Sequence, residues 1–143
     1  MNAEMMPDPD GAVAVGMELR WSDQDALGHV NNARIITLME EARIRWTRGG
    51  EDNQRFGFGT VVASLQVDYL HPLHYGPDFS IRLGTVRIGT KSFTVRHMGV
   101  QNGVMVFDGT TVMVPLAEDG VSSRTLDHDE RSWLKDSMIA ARA

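Results

Sequence analysis

The sequence predicts an α+β protein in which a single curved antiparallel sheet covers one long helix. Apolar residues alternate with a period of two in residues 13–19, follow a helical period in residues 31–48, and return to a period of two between residues 61 and 115. The helical segment also carries apolar residues outside its main stripe, namely Val30, Ala33, Ile36 and Ile44. Such a helix is typically wrapped by other elements rather than laid on a surface.

The first part of the chain contains one strand, one loop and the helix. Residues 13–19 place large apolar side chains on odd positions only, as a half-buried strand does. Residues 21–28 are rich in turn formers and acids, which predicts a loop. In residues 31–48 apolar side chains recur at the spacing i, i+3, i+4 and i+7, and Gly49-Gly50 ends the helix.

Four strands are predicted after the helix, joined as successive hairpins. The first covers about residues 61–69 and ends before Pro72, and the second covers about residues 79–88. The third begins at Phe93 and leads to Asn102-Gly103, a strong hairpin signal because both residues tolerate positive φ. The fourth strand then follows, which makes five strands in all.

Two irregularities and a terminal helix complete the prediction. The second of these strands changes phase near Gly84-Thr85, which predicts a β-bulge. Asp108-Gly109, inside the last strand, indicates either a second turn or another bulge. The segment from Asp127 to Ala141 is predicted to hold a short helix.

Composition limits the class of protein. The chain has 143 residues, 42% of them hydrophobic and 23% charged, as one globular domain does. We expect residues 1–11, with their acids and prolines, to form a disordered tail, and residues 12–143 to form a single domain. The formal net charge of −5 argues against nucleic acid as a partner.

Cysteine content and hydropathy indicate the compartment. The absence of cysteine excludes disulfides, thiolate metal sites and cysteine nucleophiles. The acidic N-terminal segment is unlike a signal peptide, and no apolar run approaches the ~20 residues that a bilayer span requires. The expectation is a cytoplasmic protein without membrane association.

The densest group of reactive side chains lies where the predicted loop meets the helix. The group comprises Asp23, Asp25, Gly28, His29, Asn31 and Asn32. At a helix N-terminus, unpaired N–H groups and the helix dipole can polarise a carbonyl or hold an oxyanion. A carboxylate just upstream, such as Asp25, can then act as a general base or a nucleophile. The alternative is that these Asp and Asn side chains only cap the helix and that Gly28 only serves a turn.

A resemblance to a known family rests on two segments, Trp21-Ser22-Asp23-x-Asp25-x-x-Gly28-His29-Val30-Asn31-Asn32 and Glu40-x-Ala42-Arg43. They resemble the signature of hotdog-fold acyl thioesterases, which include bacterial acyl-CoA thioesterases, 4-hydroxybenzoyl-CoA thioesterase and plant acyl-ACP thioesterases. The similarity continues through residues 67–76 and Lys91-Ser92-Phe93, so that it covers about residues 13–115. It implies the hotdog fold, in which a five-stranded curved antiparallel sheet wraps a long central helix, here followed by a short C-terminal helix.

The resemblance also implies roles at the loop–helix junction. Asp25 matches the catalytic carboxylate, and a backbone N–H at the helix start, that of Asn32 or its neighbour, matches the group that orients the thioester carbonyl. His29 is then a water-orienting or acid–base partner of Asp25, or alternatively a hydrogen-bonded residue at the helix start. Gly28 and Asn31 are assigned to substrate binding.

Three further residues acquire a role by resemblance. Glu40 is a second acid lining the acyl site, or alternatively half of a structural ion pair with Arg43 or Arg45. Lys91 and Ser92 match a position at which relatives bind the phosphates of coenzyme A, although a lysine beside a turn is usually only solvated. No cofactor is implied. No metal site is expected either, because Pro72 denies the flanking histidines a helical spacing.

The leading hypothesis is an acyl-CoA thioesterase that hydrolyses an acyl thioester to the free acid and CoA. Sites of this family form between two protomers, which implies a dimer or a tetramer. A non-catalytic acyl-CoA binding domain and an acyl-thioester hydratase or dehydratase are the alternatives on the same fold. The acyl group and its length stay open, and so does the carrier, although the negative charge favours CoA over an acidic carrier protein.

Overall fold

The computed structural model describes residues 5–7, 11–49 and 55–142. Six strands and two α-helices occur there, in the order β1 (Met5–Pro7), β2 (Val13–Met17), α1 (Asn32–Arg48), β3 (Thr60–Tyr69), β4 (Phe79–Ile88), β5 (Phe93–Gln101), β6 (Val104–Pro115) and α2 (His128–Asp136). A short 3-10 turn, Trp21–Asp23, lies between β2 and α1. The strands form one antiparallel sheet in the order β1-β2-β4-β5-β6-β3, which confirms the predicted α+β hotdog fold.

The sixth strand corrects the prediction for the N-terminal tail. Met5–Pro7 does not belong to a disordered segment but pairs with β2, in a register that runs from Met5↔Val15 to Pro7↔Val13. The pairing satisfies backbone groups along the edge of β2, a long-range requirement that local composition does not report. The other residues of the range 1–10 lie outside the described residues.

One face of α1 packs on the sheet and forms the core with it. The buried residues of the helix are Ile35, Leu38, Met39, Ala42, Arg43 and Trp46. All of them except Arg43 join buried side chains from β2, β4, β5 and β6 in one hydrophobic cluster. In the described part of the chain the opposite face is partly exposed, since Ile36 is 38% exposed and Ile44 is 44% exposed. The curved sheet therefore covers the helix as predicted, but on one side only.

The strand irregularities follow the sequence in part. The register of β4 against β5 shifts between Thr85 and Arg87, which confirms the predicted bulge. The β5–β6 hairpin turns at Asn102 and Gly103, both with positive φ, as predicted. Asp108-Gly109, in contrast, is neither a turn nor a bulge, because both residues pair with β3 and β5 in regular register. The glycine lets α1 approach, since a Cβ there would lie 3.0 Å from the Met39 methyl carbon.

The C-terminal helix is shorter than predicted. It begins after Asp127, whose side chain forms a capping box with Glu130, and it ends at Asp136. The backbone that follows pairs with β4 instead, because Thr85 N donates to Ser137 O and Ile139 N donates to Thr85 O, each at 2.9 Å. Within the described ranges, neither helix has the length and apolar run needed to cross a membrane.

A buried polar pair lies inside the core between α1 and β5. Arg43 Nη1 lies 3.5 Å from His97 Nε2, and His97 is fully buried. Burial and the nearby Arg43 charge together lower the pKa of His97 to about 3. The imidazole is therefore neutral at ordinary pH and can accept a hydrogen bond from the guanidinium.

We expect this histidine to make folding stability depend on pH. Above about pH 6.5 His97 is neutral in both the folded and unfolded chain, whereas below it only the unfolded chain takes up the proton. Stability is therefore lost as the pH falls, by about 2 kcal/mol between about pH 6.5 and 5 from this residue alone. Urea unfolding of the wild type and His97→Gln over this range measures the difference.

The matched control is His128→Gln, since His128 is exposed on α2. Its stability should follow that of the wild type across the pH series. A His97→Gln curve parallel to the wild-type curve would contradict a neutral buried His97.

Candidate active site

The loop before α1 holds Asp25 in a defined orientation. Asp25 N donates to His29 O at 2.8 Å, and Gly28 N donates to Asp25 O at 3.1 Å, which closes a tight turn with Gly28 at φ +77°. The Asp25 carboxylate oxygen Oδ1 accepts from Leu27 N at 2.9 Å and from His29 N at 3.3 Å. Oδ2 accepts no hydrogen bond from the described residues. One carboxylate oxygen is thus held by the backbone and the other is available.

The buried side chain of Asp23 fixes this loop to neighbouring residues. Its side chain is buried and forms ion pairs with Arg20 and Arg34, each at 3.2 Å. Its carbonyl oxygen accepts from Asn31 N at 2.9 Å, which ties the loop to the start of α1. Asp23 is therefore a structural residue, whereas Asp25 lines the pocket described below.

The start of α1 contributes backbone groups. Asn31 is the N-cap residue, and its side-chain oxygen accepts from Ala33 N at 2.9 Å. The N–H of Asn32, the first helical residue, has no acceptor among the described residues. The first turn of a helix carries partial positive charge, so this N–H is suited to hold a developing negative charge.

The segment that follows β3 closes the site. Val30 N donates to Leu73 O at 2.7 Å, and the Tyr69 hydroxyl donates to Asn32 O at 3.0 Å. Gln101 fixes the end of the segment, because its amide accepts from His74 N and donates to His74 O. The His74 and His29 rings meet edge to face, with centroids 5.1 Å apart. Two chain segments distant in sequence therefore form one wall.

These elements enclose a pocket of about 300 Å³. Its lining residues are Asp25, Leu27, His29, Val30, Asn32, Ile35, Tyr69, Leu70, His71, Pro72 and Leu73. The structure thus brings together the three residues predicted to be catalytic, Asp25, His29 and Asn32. Apolar side chains from α1 and the segment after β3 form much of the remaining wall, so Asp25 and Asn32 line a pocket that has both polar and apolar surface.

Gly28 and Asn31 have local structural functions. Neither lines the pocket, since Gly28 forms the turn and Asn31 caps the helix. Tyr69 and His71 do line it, although the sequence analysis gave them no role. The only signal for them was their place directly after a long strand, and pattern alone does not show that this strand ends beside the helix start.

Glu40, Lys91 and Ser92 lie apart from this pocket. Glu40 is exposed on α1 and, in the described part of the chain, pairs with neither Arg43 nor Arg45; Arg45 pairs with Glu41 instead. Glu40 therefore makes no close ion pair there, although its charge raises the pKa of Arg43 against the lowering by burial. Lys91 and Ser92 occupy the turn between β4 and β5, which a bond from Gly89 N to Ser92 O closes at 2.8 Å.

Glu40 lines a second cavity of about 280 Å³ instead. The other lining residues are Arg43, Ile44, Thr47, Thr60, Val61, Val62, Phe93 and Met113. This cavity lies at the N-terminal end of β3, whereas the Asp25 pocket lies at the C-terminal end. Among the described residues, no group of three acidic or histidine side chains is arranged to hold a metal ion.

Known proteins of similar sequence and structure identify the family. The family model described as the thioesterase-like superfamily matches residues 19–129. A crystal structure of a thioesterase from Thermus thermophilus, complexed with coenzyme A and Zn, is 33% identical, with a TM-score of 0.76, over 87% of this chain and 92% of that one.

Two further relatives extend the match to nearly the whole fold. A thioesterase superfamily protein from Jannaschia sp. CCS1 is 25% identical, with a TM-score of 0.81, over 95% of this chain and 99% of that one. The uncharacterized protein YsmA of Bacillus subtilis (strain 168) is 29% identical over 82% of each chain. The chain belongs to the thioesterase-like superfamily.

Proposed function

We propose that the protein is an acyl-CoA thioesterase in which Asp25 acts on the thioester carbonyl at the N-terminus of α1. The observation that carries the proposal is the juxtaposition, in one pocket, of a carboxylate with a free oxygen and a helix N-terminal N–H without an acceptor in the described chain. Family membership and the relative complexed with coenzyme A support the same substrate class.

The N–H of Asn32 and the carboxylate of Asp25 have different roles in the proposed reaction. The N–H of Asn32 holds the carbonyl oxygen as it gains negative charge, and the dipole of α1 adds to this stabilisation. Asp25 either takes a proton from water, whose oxygen attacks the carbonyl carbon, or attacks that carbon itself and forms an anhydride that water then cleaves. In both routes the C–S bond breaks and the CoA thiolate leaves. His29 is proposed to orient the water.

Thiol release tests this proposal directly. The panel runs from acetyl- to palmitoyl-CoA and includes benzoyl- and phenylacetyl-CoA, and the chain has no cysteine to react with a disulfide reagent. Asp25→Asn keeps the oxygen that accepts from Leu27 N and His29 N but loses the basic carboxylate. We expect kcat to fall by about 100-fold or more.

Asp119→Asn is the matched control, because Asp119 also accepts two backbone N–H bonds in a loop turn, from Val121 and Ser122. Its activity should equal that of the wild type. Full activity of Asp25→Asn would contradict the assignment of Asp25. A silent panel with tight acyl-CoA binding would identify a non-catalytic binding domain, and hydration of crotonyl-CoA without thiol release would identify a hydratase.

We also propose that two chains assemble through the free edge of β3. In the described sheet β3 pairs only with β6, and its outer edge has no partner. Val61, Val62 and Tyr69 are each more than 40% exposed along this strand, and the exposed Ile44 of α1 lines the same cavity as Val61 and Val62. A long apolar edge strand next to an apolar helix face is a template for pairing, and a two-fold axis makes such pairing self-complementary.

A charge at this edge should prevent dimer formation. Val61→Lys places an ammonium group in the proposed interface, so we expect a shift from twice the chain mass to the chain mass in sedimentation, together with loss of activity. Val104→Lys is the control, because Val104 at the β5–β6 hairpin is 45% exposed, as Val61 is. A dimeric Val61→Lys protein, or a monomeric wild type, would contradict this interface.

The remaining candidate residues fit the same arrangement. Glu40 lines the second cavity, at the opposite end of β3 from Asp25, so the partner subunit would bring it toward the site. Lys91 and Ser92, in the β4–β5 turn, remain proposed contacts of the CoA phosphates.

A further inference from the structure

Arg43 is a buried cation without an ion-pair partner in the described chain. It is 5% exposed, and the one hydrogen bond of its guanidinium there goes to His97, which is uncharged at ordinary pH. No carboxylate of the described residues lies within ion-pair distance of this guanidinium. Burial of a charge without a close counter-charge is costly, so such a group normally has a partner. In the described part of the single chain, the Glu40 charge opposes the lowering of the Arg43 pKa by burial, but Glu40 makes no hydrogen bond or ion pair with the guanidinium.

The cavity beside Arg43 has the character of a ligand site. It measures about 280 Å³, and most of its wall is apolar, from Ile44, Val61, Val62, Phe93 and Met113. The Thr60 hydroxyl also lines it and makes no hydrogen bond in the described chain. A guanidinium presents several planar N–H donors, which match a carboxylate in two parallel bonds.

The charged residues that line the cavity indicate which kind of anion binds there. Glu40 is exposed and also lines the cavity, and its charge opposes a multiply charged group such as a phosphate. A single carboxylate on an apolar stem satisfies the guanidinium and fills the apolar wall. The occupant is therefore expected to be an apolar chain that ends in one carboxylate.

The proposed dimer would place this cavity next to the catalytic pocket. Within one chain the two pockets lie at opposite ends of β3, a strand about 30 Å long at ~3.3 Å per residue. Antiparallel pairing of β3 with its copy brings the Tyr69 end of one strand against the Thr60 end of the other. Each catalytic pocket would then face the Arg43 cavity of the partner subunit.

We propose that the enzyme selects acyl thioesters whose acyl chain ends in a carboxylate, and that Arg43 of the partner subunit binds this carboxylate. The inference rests on the proposed thioesterase function and on the β3 dimer. It adds a substrate class, the dicarboxylyl thioesters, and a residue that recognises it. Thr60 donates a further hydrogen bond at the same end, and Glu40 weakens the anion's binding.

The experiment compares acyl-CoAs that differ only at the end of the acyl chain remote from the thioester. Each ω-carboxyacyl-CoA from succinyl- to sebacoyl-CoA is paired with its ω-amide of equal length, and kcat/KM is measured by thiol release. We expect one chain length to give a ratio of at least about tenfold in favour of the carboxylate, as charge-assisted hydrogen bonds provide. A ratio of one or less at every length would overturn the inference, while turnover of uncharged acyl-CoAs would leave the proposed function intact.

Substitutions in the Arg43 cavity test whether this cavity causes the preference for carboxylate-ended acyl chains. Arg43→Gln should reduce the ratio to about one, whereas Arg87→Gln, which removes an exposed arginine on β4, should keep it. Thr60→Val should lower the ratio severalfold and Glu40→Gln should raise it. These two changes lie at the solvent side of the cavity and test the inference even if Arg43→Gln does not fold. An unchanged ratio in both would contradict it.

Mixed dimers test whether Arg43 acts across the interface. Asp25→Asn protomers lack the catalytic carboxylate, and Arg43→Gln protomers lack the selecting cation. In a mixed dimer, one site combines an intact Asp25 with the partner subunit's Arg43, so mixing should restore the preference for carboxylate-ended chains. Mixing without restoration would place the action of Arg43 within its own chain.

Discussion

The structure depends on one constraint, which is that a single sheet buries only one side of α1. The buried side supplies the core, through Leu38, Met39 and Trp46 among others. The other side leaves Ile36 and Ile44 exposed, and Ile44 shares a cavity with Val61 and Val62 of β3. In the proposed dimer, a second copy of the chain buries this surface. The same constraint leaves an open pocket at each end of β3, since no further described element covers the gap between helix and strand.

In the Asp25 pocket, backbone N–H groups hold the carboxylate that is proposed to be catalytic. The turn at residues 25–29 holds one oxygen of Asp25 by two N–H groups, and Asp23 fixes this turn to the helix start through Asn31 N. Preorganised groups of this kind need little rearrangement when charge develops in the transition state. The ion pairs of the buried Asp23 with Arg20 and Arg34 therefore stabilise the loop geometry on which the proposed role of Asp25 depends.

The Arg43–His97 pair connects the core with the second pocket. Burial keeps His97 neutral, so it supports the guanidinium without neutralising it. Hydrophobic side chains in these two positions would pack without such a cost. A buried cation that lines a mostly apolar cavity is the feature on which the proposed recognition of a carboxylate rests.

The sequence by itself determined the order of the elements from β2 onward, the bounds of α1, the β4 bulge, the Asn102-Gly103 turn and the grouping of Asp25, His29 and Asn32, because periodicity, turn chemistry and a contiguous motif are local properties. Only the tertiary structure decided that Met5–Pro7 forms a strand, that Asp108-Gly109 stays within one, and that Tyr69 and His71 join the pocket. The tertiary structure also places Glu40 and Asp25 in different pockets of the chain. These outcomes depend on which segments meet across the sheet, and long-range contacts leave no local pattern in the chain.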